Sequence, residues 1–506
     1  MGMSGLERGP LPRLLNPKRH WLAFGAIIAG TLLLTLYKLG SCGICKGNEA
    51  VEAIFIQQMV EHGKVFFPAV NGGSPMYKPP MFHWTATALD RLFGLNKVTP
   101  FNFRLPAALY TTAGVALTMA FAYGILSIDG AILSGLTLLA AHQYIRLGRM
   151  GRVDMTLTFF ETLALFAFWW WFDRTERVEG SNRSSGAMIY LAAAAAGLAV
   201  LSKGPVGALL PGLSIAIFLI AEGRLREVMR RIPAAAVPVA LLIGAGWYIA
   251  GYLVAKHALL NRQLGSENFG RFFGTLGSSP PWFYLGPLLF SSLPPSLLVP
   301  AGVFAVFFAR RESETHGAGR VRGAIKLLAI FWLVTLAFYS LAAYKSRWYL
   351  LPMWPAAAVI LAWWIKQMGL RYGRRAIEGG FAVGCAAVAV FNLFFIPHQE
   401  ARECVHYGYR TAAAEIRRLV GPSQPLYAAG FVDEDFAPLL FYLDRDAPFI
   451  SVNLAAAPPG YIIVPAELWN AHGDDAKDFE VLMRSSEGRR KPVLLRHSVE
   501  RTSPSP

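Results

Sequence analysis

Residues 21–39 form an apolar run long enough to cross a bilayer. Runs of similar length recur at 104–123, 130–145, 155–172, 187–201, 205–221, 232–254, 283–303, 324–343, 348–365 and 376–396. A membrane helix needs roughly 20 predominantly apolar residues, so the pattern restricts the chain to a polytopic α-helical membrane protein of about 11–13 spans. Composition agrees, with 54% hydrophobic and only 16% charged residues where a soluble protein carries roughly 25% charged. The first run is too long for a signal-peptide core and lacks a clean small-residue cleavage site, so it reads as a retained span. A shorter apolar stretch, 80–93, reads as a segment that dips into the membrane or adds a paired span.

The net charge of +16 invites a nucleic-acid reading, but its distribution excludes one. The basic residues sit in short clusters between apolar runs: Arg8, Arg13, Lys18 and Arg19; Arg224, Arg226, Arg230 and Arg231; Arg310, Arg311, Arg320, Arg322 and Lys326; Lys366, Arg371, Arg374 and Arg375. Counting alternate sides from a cytoplasmic N-terminus places all four clusters inside, as the positive-inside rule requires. The opposite side then receives 41–103, 146–154, 202–204, 256–282, 344–347 and the tail from 397. The tail, 397–506, changes character. Strand-like pieces (426–429, 449–452, 461–464, 493–495) alternate with helical ones (412–419, 436–443, 475–483). It reads as a small α/β domain, ending in a disordered stretch at 501–506. The four cysteines are too few for a disulfide scaffold. Cys42 and Cys45 form a C-x-x-C that either pairs in an oxidising compartment or holds two unpaired thiols; zinc would need a second ligand pair.

The outer segments hold the chemistry-bearing residues. The first loop predicts an interfacial amphipathic helix over 49–60, with Val51, Ile54, Phe55 and Met59 near one face. Glu49 falls in its first turn, where the helix dipole favours a carboxylate, and Glu52 follows on the same side. Glu49 is therefore either a general base or a helix cap. Two prolines stiffen the chain after Tyr77 and Lys78. A lysine there suits a phosphate, or snorkels to lipid headgroups. Arg149, Arg152 and Asp154 lie at one span junction, Lys203 at another, Glu267, Asn268 and Arg271 in a third connection, and Lys345 and Arg347 in a fourth. Cations on this side run against the positive-inside trend, and a phosphate-bearing lipid headgroup explains them.

The order of motifs is distinctive: a G-x-x-x-x-P turn from Gly63 to Pro68, K-P-P at Lys78, R-L-P at Arg104, R-V-D-M-T-L-T-F-F from Arg152, S-K-G-P around Lys203, E-N-F-G-R-F from Glu267, and K-S-R-W-Y-L-L-P-M-W-P from Lys345. This resembles the polyprenyl-phosphate-dependent glycosyltransferases of the GT-C superfold, in particular the aminoarabinose transferase and protein O-mannosyltransferase-like groups, over residues 20 to 370. The tail is similar to the periplasmic domain many of them carry.

The resemblance implies a bacterial inner-membrane, multi-pass enzyme with a cytoplasmic N-terminus. Residues 1–396 would form the transmembrane catalytic domain, with its catalytic first loop at 40–103, and 397–506 a soluble periplasmic domain. The implied reaction is inverting transfer of a sugar from an undecaprenyl-phosphate donor to a lipid, glycan or protein acceptor, as in lipid A modification. The alternative is a transporter or flippase of lipid-linked sugars. Glu49 and Asp154 are the implied catalytic residues. Lys78, Lys203, Arg271, Lys345 and Arg347 would hold the donor phosphate, and Asn48, Tyr77, His83, Arg152 and Glu267 would contact acceptor or sugar. A divalent cation at Asp154 is the one cofactor considered; no nucleotide-cradling glycine loop is present. The chain departs from the family at Asn48, where relatives carry Asp-Glu across positions 48–49, at Tyr77, where the aminoarabinose transferase has glutamate, and at Val51, where it has arginine.

Overall fold

The computed structural model describes residues 17–177, 186–308, 318–405, 408–472 and 478–497, apart from 72, 256, 276, 487 and 489. Arg8, Arg13, Arg310, Arg311 and the tail 501–506 lie outside the described residues. Among those described, six helices are long and apolar enough to cross a membrane, or seven if one bent pair is counted as a span. His20–Leu36 and Val206–Ala221 are shorter apolar helices.

Several predicted spans take a different form. The runs 104–123 and 130–145 fall within Pro100–Ala140 as two helices that meet at a kink at Ser127 (φ 78°, ψ 178°), inside the gap between the runs, and the second ends at Ala140. Its start is secured by a capping box between Thr99 and Asn102. The run 283–303 is a pair of helices, Pro281–Phe290 and Pro295–Phe308, bent by 110°. Pro294 and Pro295 at the break lack the N–H groups a continuous helix needs. The stretch 80–93 forms Met81–Leu92; its 12 residues rise only about 18 Å, too short for a complete crossing. The last membrane helix, Gly380–Val405, runs through Pro397 and beyond the predicted end of its span.

The basic connections meet at one end of the bundle. Arg320 pairs with Asp173, Arg224 and Arg231 pair with Glu176, and Lys326 pairs with Glu222. At the other end the loops are tied to Gly380–Val405. Buried Arg149 donates to Leu34, Thr35 and Tyr37 carbonyls at the end of the first helix, Pro17–Leu36, and forks onto Glu400 at 3.0 and 2.8 Å. Arg149 is thus a cap for orphan helix carbonyls rather than a ligand group. Arg146 and Lys46 both reach Glu403.

The first-loop helix, Gly47–Glu61, is not amphipathic in the one-sided sense expected. Nine of its residues are buried, Glu49 and Glu52 among them, and it packs against Met81–Leu92 on one side and Asp433–Leu443 on the other. A helix covered on several sides buries polar positions with the apolar ones, which is why the one-sided reading fails.

The C-terminal region is α/β, as its composition indicates, with a four-stranded sheet in the order Leu426–Ala428, Gly460–Pro465, Pro492–His497, Phe479–Arg484. The first pair is parallel and the others antiparallel. The expected strand at 449–452 is reduced to an isolated bridge between Phe449 and Ala428. The helix expected over 475–483 is instead the strand Phe479–Arg484. Pairing with Pro492–His497 overrides the helical preference of its Leu, Met and Glu; residues 473–477 lie outside the described set.

Candidate functional site

The site is built from three buried carboxylates, each backed onto its own cations. Glu49 accepts from Arg104 Nε at 2.7 Å, Arg104 Nη2 at 3.0 Å and the Gly151 N–H at 2.9 Å. Arg104 also donates to the carbonyls of Leu39, Cys42 and Gly43, so one guanidinium fastens the first loop to the start of Pro100–Ala140. Burial alone would raise the Glu49 carboxyl, but Arg104 and the Gly151 amide hold it below the usual range. Gly151 is required here, because a Cβ would meet the Phe103 ring at 2.1 Å.

Glu52, one turn on, accepts from Lys78 Nζ and from His83 Nε2, the latter at 2.6 Å. Against the penalty of burial, Lys78 and His83 bring its carboxyl down to about 2. Lys78 is pushed up in turn, as Glu52 outweighs desolvation. His83 is fully buried behind Glu52, its ring edge-on to Phe55 and Phe82. Tyr77 lies between cations, with Lys78 Nζ 5.4 Å and the Arg262 guanidinium 4.6 Å from its ring centre, and burial raises its phenol.

Asp154, in the first turn of Val153–Arg177, accepts from Arg152 Nε at 2.9 Å and from Lys203 Nζ. A divalent cation there would have to displace one of these partners. Lys203 ends the helix Gly186–Lys203, and Gly204 (φ 100°) makes the turn after it, close to Gln263 and Asn268. Lys203 Nζ lies 4.5 Å from the Tyr349 ring centre, and the Tyr349 hydroxyl accepts from Arg271 Nη1 at 2.9 Å. Arg271 also pairs with Glu267 at 2.6 Å, while its Nε is buried without a partner. Arg152 lies within electrostatic reach of Glu49, Glu52 and Lys78, so the clusters form one constellation drawn from separate connections.

The remaining expected residues make other contacts. Lys345 Nζ donates to the Ala342 carbonyl at 2.6 Å and to Ser279 at 3.3 Å, close to the end of the helix Ala318–Leu341. The Arg347 guanidinium lies 5.2 Å from the Trp348 ring centre. Asn48 is exposed and faces the C-terminal region; with its amide nitrogen turned inward it donates to both Glu434 oxygens at 2.7 and 2.8 Å.

The carboxylate side chains are only 1–3% exposed, whereas Lys78, Arg152, Lys203 and Arg271 retain 17–29%. The acids stand behind the cations, and the surface offered to a ligand is positive.

The family model described as Dolichyl-phosphate-mannose-protein mannosyltransferase matches residues 77–249. An undecaprenyl phosphate-α-4-amino-4-deoxy-L-arabinose arabinosyl transferase of Pseudomonas fluorescens is 27% identical over 404 residues, covering 75% of this chain and 66% of that protein. An uncharacterized Aquifex aeolicus protein is 28% identical over 349 residues, covering 69% and 65%. The chain thus spans just under two thirds of these relatives' length. ArnT from Cupriavidus metallidurans, solved with undecaprenyl phosphate, superposes with a TM-score of 0.78 at 18% identity, covering 96% of this chain and 99% of that one. The Archaeoglobus fulgidus oligosaccharyltransferase gives 0.62 at 12% identity, covering 90% and 71%.

The chain has the fold of the GT-C glycosyltransferases and is similar to them in sequence.

Sequence reasoning missed several residues that complete the site. Arg104 was visible only as part of R-L-P, and its partner Glu49 is 55 positions away. Tyr349 and Arg262 were hidden among other membrane-edge residues, and Glu434 comes from a helix of the tail. Cys404 also went unread. Its Cα lies 6.3 Å from that of Cys42 and 5.9 Å from that of Cys45, so it is a further disulfide partner for the C-x-x-C, whose pairing the sequence leaves open.

Proposed function

We propose that the protein transfers a glycosyl group from a polyprenyl-phosphate donor to an acceptor at the periplasmic face of a bacterial inner membrane. The observation that carries this reading is the positive wall of Lys78, Arg152, Lys203 and Arg271 in front of buried carboxylates. Such a wall suits a lipid phosphate that gains charge as the glycosidic bond breaks. The name of the P. fluorescens relative and the undecaprenyl phosphate in the ArnT structure support a donor of this class.

In an inverting displacement the acceptor oxygen attacks the anomeric carbon while the bond to the phosphate oxygen breaks. The electron pair leaves on the lipid phosphate, and the acceptor proton passes to a base. Lys78, Lys203 and Arg271 hold the leaving phosphate, the unpartnered Arg271 Nε supplying a donor. Asp154 suits the base better than Glu49. Glu49 and its partner Arg104 are both sealed off, whereas Asp154 is released on one side when Lys203 turns to the phosphate. Glu49 then acts as a positioning residue that docks the loop carrying Glu52. An acceptor that arrives as a phosphate is already ionised and needs no base, which makes Asp154 dispensable for that class alone. Tyr77, Arg152 and Glu267 border the wall and are placed to contact sugar or acceptor.

The test is lipid mass spectrometry on a deletion strain restored with wild type, Lys78→Ala or Asp154→Asn. The expected result is accumulation of a glycosylated polyprenyl phosphate and loss of one envelope sugar in the deletion, reversed by wild type and not by Lys78→Ala. Unchanged lipid-linked sugars and envelope glycans in the deletion would overturn the assignment.

A further inference from the structure

A second charged site lies at the opposite end of the bundle, where the glycosyl-transfer reading gives it no role. Pro100–Ala140 breaks at Ser127, whose φ of 78° is unusual for a residue with a side chain. Such conformations are strained and persist where the surroundings hold them. A cavity of about 500 Å³ opens beside the break, within the range of small-ligand sites. His20, Asp129, Lys366, Arg374 and Glu378 supply its polar lining. These residues come from the start of the first helix, from the break, and from the end of Met353–Tyr372 and the turn after it.

The acids in the cavity are already engaged. Arg374 donates to Asp129 at 2.9 Å and to both Glu378 oxygens at 2.8 and 3.2 Å. Two donor groups retain capacity. Lys366 Nζ makes a 3.3 Å bond to Ser127 Oγ and lies 3.9 Å from Asp129. His20 is 2% exposed, lines the cavity, and has no hydrogen bond at Nε2, the nearest acid oxygen being Asp129 Oδ1 at 3.6 Å. A buried ring nitrogen without a partner is costly unless something else supplies one.

The rim is of another kind. Trp21 and Tyr123, 57% and 48% exposed, stand 5.6 Å apart at the mouth. Exposed aromatic residues of this type collect at the headgroup level of a bilayer. Arg371 and Arg375 flank the site in sequence, and basic pockets between membrane helices are suited to lipid phosphates.

We propose that this cavity binds the phosphate ester of a membrane phospholipid from the leaflet opposite the glycosyl-transfer site, with Lys366 Nζ and His20 Nε2 donating to the phosphate oxygens. The same chemistry would accept inorganic phosphate; the aromatic rim at the bilayer edge favours the lipid.

The test uses the full-length chain purified in mild detergent, with retained lipid read by native mass spectrometry after delipidating washes. Lys366→Gln removes the charge and leaves an uncharged N–H donor on a side chain one atom shorter, with its ligand-free melting temperature checking the fold, while Lys78→Ala at the other end serves as control. Wild type and Lys78→Ala should retain a diacyl phospholipid, and Lys366→Gln should retain about tenfold less, the effect of losing one charge-assisted hydrogen bond. If no lipid is retained but millimolar inorganic phosphate raises the melting temperature of wild type and not of Lys366→Gln, the phosphate chemistry stands and its source is soluble. Equal retention in wild type and Lys366→Gln, or neither lipid retention nor phosphate protection, overturns the proposal.

Discussion

Replacing Glu52 by Gln removes the one carboxylate facing both Lys78 and His83. The folded protein holds this carboxyl at about 2 against an ordinary 4.5. At about 1.4 kcal/mol for each tenfold change, that difference corresponds to about 3 kcal/mol favouring the charged form. A depressed carboxyl stabilises the fold fully above its unfolded value, and the contribution fades as pH falls from about 4.5 toward about 2. Glu52→Gln should therefore lower the melting temperature at pH 7 by several degrees, measured by scanning fluorimetry in detergent. It should also flatten the decline in stability below pH 4.5. Most of the cost arises from leaving half-buried Lys78 without its counter-charge, so Glu52→Gln/Lys78→Met should recover stability without recovering transfer. The reasoning is refuted if Glu52→Gln melts with wild type at neutral pH, or if the second substitution lowers stability further by the full effect of its own.

Arg104→Lys should loosen the first loop and abolish transfer, because an ammonium cannot reproduce a two-pronged contact to Glu49 together with three carbonyl contacts; limited proteolysis around residues 40–60 would report the loosening. Asp154→Asn should cut transfer to a hydroxyl acceptor by about a hundredfold or more while leaving donor-lipid binding within a few-fold of wild type; near-normal turnover would exclude it as the base. Peptide mapping without reductant should find Cys404 joined to Cys42 or Cys45, and a Cys42–Cys45 link with Cys404 free would contradict the observed approach.

What could be read in the sequence follows from what is local. Apolar runs and basic clusters mark most spans, because crossing a bilayer is a property of about 20 consecutive residues. Pro100–Ala140 shows the limit. The gap between its two apolar runs marks where it breaks, but the positive φ of Ser127 and its distant partner, Lys366, have no local signal. The strand Phe479–Arg484 shows the same for the tail, since its identity comes from a neighbouring strand. The cations of the site were legible as charges in connections where the positive-inside count expects few. Their pairings were not, because Glu52 with Lys78, Asp154 with Lys203 and Asn48 with Glu434 join positions far apart in the chain.

Those pairings change what the charged residues mean. Taken singly, each carboxylate suggests a base and each lysine a phosphate ligand. At the edge of a bilayer neither would be stable alone, because a buried charge without a counter-charge is heavily penalised. Setting each acid behind a cation removes that penalty and leaves the cation at the surface. A lipid phosphate entering the site then exchanges one counter-charge for another, so Lys203 can turn from Asp154 to the phosphate without becoming an unpaired charge. On this reading the same step that binds the leaving group uncovers the carboxylate that takes the acceptor's proton. Donor binding should therefore precede productive binding of a hydroxyl acceptor, whereas a phosphate acceptor should show no such order.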